Sequence, residues 1–223
     1  MLRKFENGER GISLNPDAPS GPQVVQIGFN KCGTRSLYHF FRRNGLSCAH
    51  YAQGRLGAVM ALNLATGQPV LKGLGQFNAL TDLQGPVIGS LFEGHMFFRE
   101  IDRDHPGTKF ILPVRPVEDW IQSRLTHPHY ARRCRQHYDV ADFDALAELW
   151  RAQWTQYRLD VERHFRKRPD DLLVFDITAD GPEKIRDFLK PHYILRPKHW
   201  KHEGQSAAAS VVSLAERRTA GAI

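Results

Sequence analysis

Cysteine is scarce in this chain: Cys32, Cys48 and Cys134 are the three among 223 residues. An odd, widely spaced set yields neither a disulfide framework nor a zinc signature, and it fits a reducing compartment. Long apolar runs are missing too. No stretch approaches the roughly 20 residues needed to span a bilayer. The start, Met1-Leu2-Arg3-Lys4-Phe5-Glu6, carries charges with no apolar segment behind them. Neither a secretory signal nor an integral membrane segment is therefore expected, and the expected compartment is the cytoplasm. The chain also lacks internal repeats and any helix-turn-helix, zinc-finger or RNA-binding pattern, so nucleic acid is not an expected partner. No metal cluster is expected either.

What is present is ordinary globular composition, 41% hydrophobic and 25% charged, with a net charge of +7. A basic balance points to anionic partners such as nucleotides or sulfated and phosphorylated sugars, or else to a merely solvated basic surface. The length suits one domain that buries roughly 70% of its unfolded surface. That domain spans 1–223, with a polar arm over 1–21 and an Ala/Ser-rich tail over 204–223.

Strand and helix signals alternate. The run Val24–Phe29 predicts a buried strand, and Leu37, Phe40 and Phe41 set an apolar helical face that Thr34 can cap and Asn44-Gly45 can end. Leu46–Tyr51 predicts a short strand, Leu56–Leu64 a helix, and Phe77–Asp82 a strand ending in a carboxylate. Glu93–Asp104 reads as helix, Lys109–Val114 as strand and Glu118–Leu125 as helix. Phe143, Leu146, Trp150, Trp154, Tyr157, Val161 and Phe165 recur at intervals of three and four, one apolar face of a long helix. Leu172–Phe175 predicts the last strand, and Pro182 opens a helix through Leu189. The pattern implies an α/β fold of three layers, α/β/α, with a central parallel sheet of the P-loop-containing nucleotide-binding type.

The first strand runs into Gly28-Phe29-Asn30-Lys31-Cys32-Gly33-Thr34-Arg35-Ser36. In a parallel sheet, ligands sit beyond the carboxyl ends of the strands, where a helix N-terminus attracts anions. Gly33 lets the backbone approach a phosphate, and the amides from Gly33 to Ser36 are helix donors without helical partners. Gly28 and Gly33 have the separation of the triphosphate loop G-x-x-x-x-G-K-[ST]. Thr34 and Arg35, however, stand where that loop has Lys and Ser or Thr, and the lysine comes earlier, as Lys31.

Lys31-Cys32-Gly33-Thr34-Arg35-Ser36-Leu37 resembles the 5′-phosphosulfate loop of sulfotransferases that use 3′-phosphoadenosine 5′-phosphosulfate (PAPS) and release 3′,5′-ADP. The Arg form is similar to the heparan-sulfate-type branch. Downstream, Lys109–Ser123 is similar to that family's 3′-phosphate motif, in which a strand delivers an arginine, here Arg115, and a helix presents a serine eight positions on, here Ser123. Pro116 departs from the Asp or Asn usual after the arginine. Segments around Ala79–Asp82, Phe98–Lys109 and Leu172–Leu189 also resemble compact members. The resemblance implies that Lys31 stabilises charge on the leaving phosphate oxygen. It gives Cys32, Gly33, Thr34, Arg35 and Ser36 the 5′ end, and Arg115 and Ser123 the 3′-phosphate. It implies metal-independent transfer to a hydroxyl or amine of a carbohydrate, lipid or small molecule.

A base for the acceptor is less clearly marked. Asp82, ending a strand on the ligand side, is the first candidate, with Glu93 and His95 as rivals on an expected loop over Leu91–His95 that would reach the site. The cation-rich segment Arg124–His137 reads as a rim for an anionic acceptor, as part of the nucleotide site, or as a solvated loop. Lys198–His202 lies near where the family closes a loop over the 3′-phosphate. Alternative functions are a P-loop kinase or NTPase that recruits Asp82 on its magnesium side, and a non-catalytic anion-binding relative.

Overall fold

The structure is a computed structural model and describes residues 23–87 and 90–203, so the predicted arm over 1–21 and tail over 204–223 lie outside the described residues. Its centre is a parallel sheet of five strands: β1 (Val24–Gln26), β2 (Cys48–His50), β3 (Ala79–Thr81), β6 (Lys109–Val114) and β7 (Leu172–Asp176), in the order β2-β3-β1-β6-β7. The register sets Val25 beside Leu80 and Phe110, and His50 beside Thr81.

Successive side chains of a strand point to opposite faces, and the two cores follow that alternation. Val24, Ala79, Ile111, Leu173 and Phe175 pack on α1 (Thr34–Arg43) and α7 (Pro182–Leu189) through Leu37, Phe40, Phe41, Ile185 and Leu189. Val25, Leu80, Phe110 and Leu112 face the other way, toward α2 (Arg55–Ala65), α3 (Phe98–Asp104), α4 (Val117–Leu125) and α6 (Phe143–Phe165). The sheet is thus covered on both faces, as the alternation of signals implied.

The strand Lys109–Val114, the long helix and the helix from Pro182 to Leu189 lie where the patterning puts them. Phe143 is the exception on the apolar face of α6: it is 42% exposed at the N-terminus, while the other six residues are buried. Two regions depart further. Residues Leu91–His95 are not a loop, and no helix begins at Glu93. An antiparallel hairpin, β4 (Gln84–Val87) with β5 (Ser90–Glu93), precedes a 3₁₀ turn at Gly94–Phe97, and the helix starts only at Phe98. The cation-rich segment is not a loop either, since α4 runs to Leu125 and α5 spans Pro128–His137. Among the described residues, no helix is long and apolar enough to cross a membrane.

Candidate functional site

The connections after β1, β2, β3 and β6 all leave the carboxyl edge of the sheet, and they bring Lys31, Tyr51, Asp82 and Arg115 to that edge. After β1 the chain turns through left-handed conformations at Lys31 (φ 64°) and Gly33 (φ 69°) before entering α1. Such alternation aims successive amides inward and makes an anion-binding concavity. Gly33, not Thr34, is the N-cap, and no side chain caps the helix. The first amide to find a backbone acceptor is that of Leu37, which donates to the Gly33 carbonyl at 3.0 Å. The amides before it stand at the positive end of the helix dipole.

Gly28 has a different reason for its glycine. A Cβ there would lie 2.6 Å from Pro113 Cδ and 2.7 Å from the Pro113 carbonyl oxygen, so close packing against β6 demands it.

Several buried groups fix the loop. Gln26 is the lone polar side chain in an apolar strand. Its Nε2 donates to the Gly28 carbonyl (2.6 Å) and its Oε1 accepts from the Asp82 amide (2.9 Å), tying the end of β1 to that of β3. From α4, Trp120 Nε1 donates to the Asn30 carbonyl (3.0 Å) and Arg124 Nε to Asn30 Oδ1 (2.8 Å). Arg124 is fully buried among Phe29, Trp120, Tyr130 and Trp150, and its Nη2 also donates to Glu93 Oε1 at 3.0 Å. By sequence Arg124 falls in a segment open to being a rim, part of the nucleotide site or a solvated loop; it is instead the buried hub that joins α4, the loop and the hairpin.

Arg115 reaches the loop directly, with Nη1 donating to the Lys31 carbonyl at 3.1 Å while its Nε is buried without a partner. Ser123 is half-buried on α4, between the two residues that grip Asn30. Thr34 and Ser36 are buried, and Arg35 is exposed. Cys32 is buried in the core, where desolvation pushes its thiol up to about 12, so only its main chain is left for a ligand. The Lys198–His202 patch lies along α1. Trp200 packs edge-on against Phe40 and Phe175, and the Glu203 amide donates to Ser36 Oγ at 2.9 Å.

Lys31 and Asp82 share a cleft of about 170 Å³, lined also by Tyr51, His127 and Arg133. Burial pulls the Lys31 ammonium below its usual value despite Asp82, and its Nζ lies 2.7 Å from His127 Nε2. Burial and Lys31 likewise hold the His127 ring below its ordinary value, so its neutral form accepts from Lys31. Burial pushes Asp82 up to about 6, against a hydrogen bond from Gln84 Nε2 to Oδ1 (3.0 Å) and the charges of Lys31 and Arg124. His50, 3.9 Å from Asp82 Oδ2, is pulled by burial to about 4 and is neutral at pH 7. Asp82 has φ 55°, a backbone state few side chains accept.

The rival bases are placed differently. Burial is the largest influence and works to raise Glu93, but Arg124, His95 and Tyr138 together outweigh it and hold the carboxyl below its ordinary value. Both oxygens are engaged, by Arg124 and by the Tyr138 hydroxyl (3.1 Å). His95 is 1% exposed, packed edge-on against Phe29 and Tyr157, and burial pulls it to about 4. Asp82 is therefore the carboxylate that meets the cleft.

A family model described as a sulfotransferase domain matches residues 23–193, a span holding β1 through α7 and every residue of the cleft. No curated protein matches the chain.

Proposed function

Because the chain belongs to the sulfotransferase family, we propose that it moves a sulfuryl group from PAPS to a hydroxyl or amine of a small molecule or glycan. The observation that carries this reading is the shared cleft at the sheet's carboxyl edge, where Lys31 and Asp82 meet beside the open N-terminus of α1. The donor fits the residues present. The Arg115 Nε is a buried donor with no partner, the first-turn amides of α1 face an anion concavity, and Gly33 holds the left-handed turn that forms it. The loop amides with Thr34, Arg35 and Ser36 hold the 5′ end, and Arg115 with Ser123 the 3′-phosphate. Arginine suits that task because its fork donates to two phosphate oxygens at once.

When bound, PAPS supplies a sulfuryl group whose bond to the 5′-phosphate breaks as its bond to the acceptor forms, leaving 3′,5′-ADP. Lys31 stabilises the charge gathered on the departing oxygen; a positioned cation in a partly dry site is worth far more than in water. Asp82 takes the acceptor's proton. Its Oδ1 is held by Gln84, which leaves Oδ2 for that task. A carboxyl raised to about 6 is still ionised at neutral pH and is a stronger base than an ordinary aspartate.

Transfer of radiolabelled sulfate from PAPS to an acceptor panel tests the assignment. Wild type transfers label, and Lys31→Ala loses about 10²–10³ in kcat, the usual loss on removing one charge-stabilising donor. Equal turnover by the two proteins overturns it.

A further inference from the structure

The cleft beside Asp82 also carries information about the acceptor. Two cations, Lys31 and Arg133, and the His127 ring line it with the single carboxylate of Asp82. Lys31 belongs to the donor side, and His127 is neutral and spoken for by Lys31 at 2.7 Å. Arg133 is left. It is exposed on α5, and its guanidinium has no carboxylate or carbonyl partner among the described residues.

The opposite wall is unusual in its backbone. Tyr51, Ala52 and Gln53 follow one another at φ 49°, 48° and 57°, three left-handed residues without a glycine, before Gly54 at φ 81°. Each costs of order 1–3 kcal/mol and persists only where the surroundings over-determine it. Here they do. The Tyr51 amide donates to the Thr81 carbonyl (3.1 Å), the Gly54 amide to the Tyr51 carbonyl (2.9 Å), and Gly85 of the hairpin abuts Gly54 so closely that a Cβ would strike its carbonyl oxygen. A Cβ on Gly57 would in turn lie 2.5 Å from the Gly85 nitrogen. Held this way, Tyr51 lines the cleft with its aromatic side chain 38% exposed.

Resting on the sulfotransferase reading above, we propose that this cleft is the acceptor subsite. It takes a ring-bearing hydroxyl compound that also carries a carboxylate or sulfate, with Arg133 reading the anion and Tyr51 walling the ring. The fork of an arginine matches a planar carboxylate or a sulfate edge, and the cleft has room for about one ring. The reacting hydroxyl then lies toward Asp82 and the anion toward α5.

Binding to the 3′,5′-ADP-saturated protein tests this with two matched pairs of probes: 4-hydroxybenzoate against 4-hydroxybenzamide, and methyl glucuronide against methyl glucoside. In at least one pair the anionic member is expected to bind at least 10-fold more tightly. That is the low end for a charge-assisted hydrogen bond of about 1.5–3 kcal/mol. Arg133→Gln, a surface change that leaves the fold intact, brings the pair to within about threefold without altering affinity for 3′,5′-ADP, and Arg133→Lys retains part of the preference. Preference in the phenol pair or the sugar pair tells which ring the subsite takes. Equal binding within both pairs, no binding by any probe, or a preference that survives Arg133→Gln overturns the proposal. Failure of the donor reading shows separately, as wild type that does not bind 3′,5′-ADP; the same pairs titrated into free protein then still decide the anion preference.

Discussion

Replacing Asp82 with Asn should cut turnover sharply and stabilise the protein at the same time. Burial raises the Asp82 carboxyl from an ordinary 3.8 to about 6. At about 1.4 kcal/mol per pKa unit, the ionised form costs the fold about 3 kcal/mol. Asparagine removes that charge and little else. It still accepts from Gln84 Nε2 through Oδ1, and it tolerates the left-handed backbone at φ 55° better than almost any other residue. Part of the gain is given back because the carboxylate supports the Lys31 ammonium. The net is about 2 kcal/mol, or roughly 4–8 °C in Tm for a domain of this size.

The pH dependence follows from the direction of the shift. A folded value above the unfolded one makes the carboxylate free of cost below about pH 4 and fully costly once pH has passed about 6. The Tm advantage of Asp82→Asn therefore opens as pH rises from about 4 through 6 and is level by pH 8, measured by scanning calorimetry on both proteins. Over the same range wild-type kcat/KM falls on acidification with an apparent pKa near 6, and the variant loses about 10²–10⁴ in kcat, the usual share of a general base. A variant that is less stable at pH 8, or whose advantage does not grow with pH, refutes the burial argument. One that keeps full turnover refutes the base assignment.

Two other substitutions probe the support of the site. Gly33→Ala puts a side chain at φ 69° with its Cβ 3.1 Å from Ile177 Cγ2. It should cost about 1–2 kcal/mol in urea unfolding and weaken 3′,5′-ADP binding, whereas Gly45→Ala, at φ 86° with nothing near its Cβ, should share the stability cost and spare the binding. Arg124→Met strands the buried Glu93 carboxylate and should cost about 3–5 kcal/mol, with Tm falling by roughly 10 °C. Adding Glu93→Gln should recover part of that loss, and a double variant no more stable than the single one would show that the pairing is not the cause.

Most of the layered fold was legible because it rests on periodicity. The β-branched and aromatic content of Lys109–Val114 and the three-four spacing along α6 report which faces are buried, and burial is what patterning encodes. Phe143 broke that pattern because it sits in the first turn of α6, where the Arg135 guanidinium of α5, 6.0 Å from its ring centre, covers it only in part. The hairpin escaped because Gly85, Pro86 and Gly89 interrupt any alternation, and it is held on α2 by the close approach of Gly57 to Gly85, a contact 28 residues apart in sequence. The α5 helix escaped for another reason. Only Ala131 and Cys134 of its ten residues are buried, so it has no apolar stripe to read.

Lys31, Gly33 and Arg115 could be nominated from local order along the chain, and the structure brings them to the same edge of the sheet. Gln26 and Arg124 could not be, although each left a trace. A polar residue inside Val24–Ile27 must find buried partners, and the helical spacing of Trp120 and Arg124 sets a cation on the same face as an aromatic ring. Their importance lies in partners far along the chain, Asp82 for Gln26 and Asn30 with Glu93 for Arg124.

The proposed donor site holds a nucleotide phosphorylated at both 3′ and 5′ positions, and thermal stabilisation by three nucleotides tests that most directly. A ligand that binds only the folded state adds about 2.7 kcal/mol at a concentration 100 times its Kd. The expected order is strong stabilisation by 3′,5′-ADP, much less by 5′-AMP and none by ATP with magnesium, with Arg115→Ala reducing the 3′,5′-ADP response to that of 5′-AMP. Stabilisation by ATP with magnesium and no response to 3′,5′-ADP would contradict the central claim.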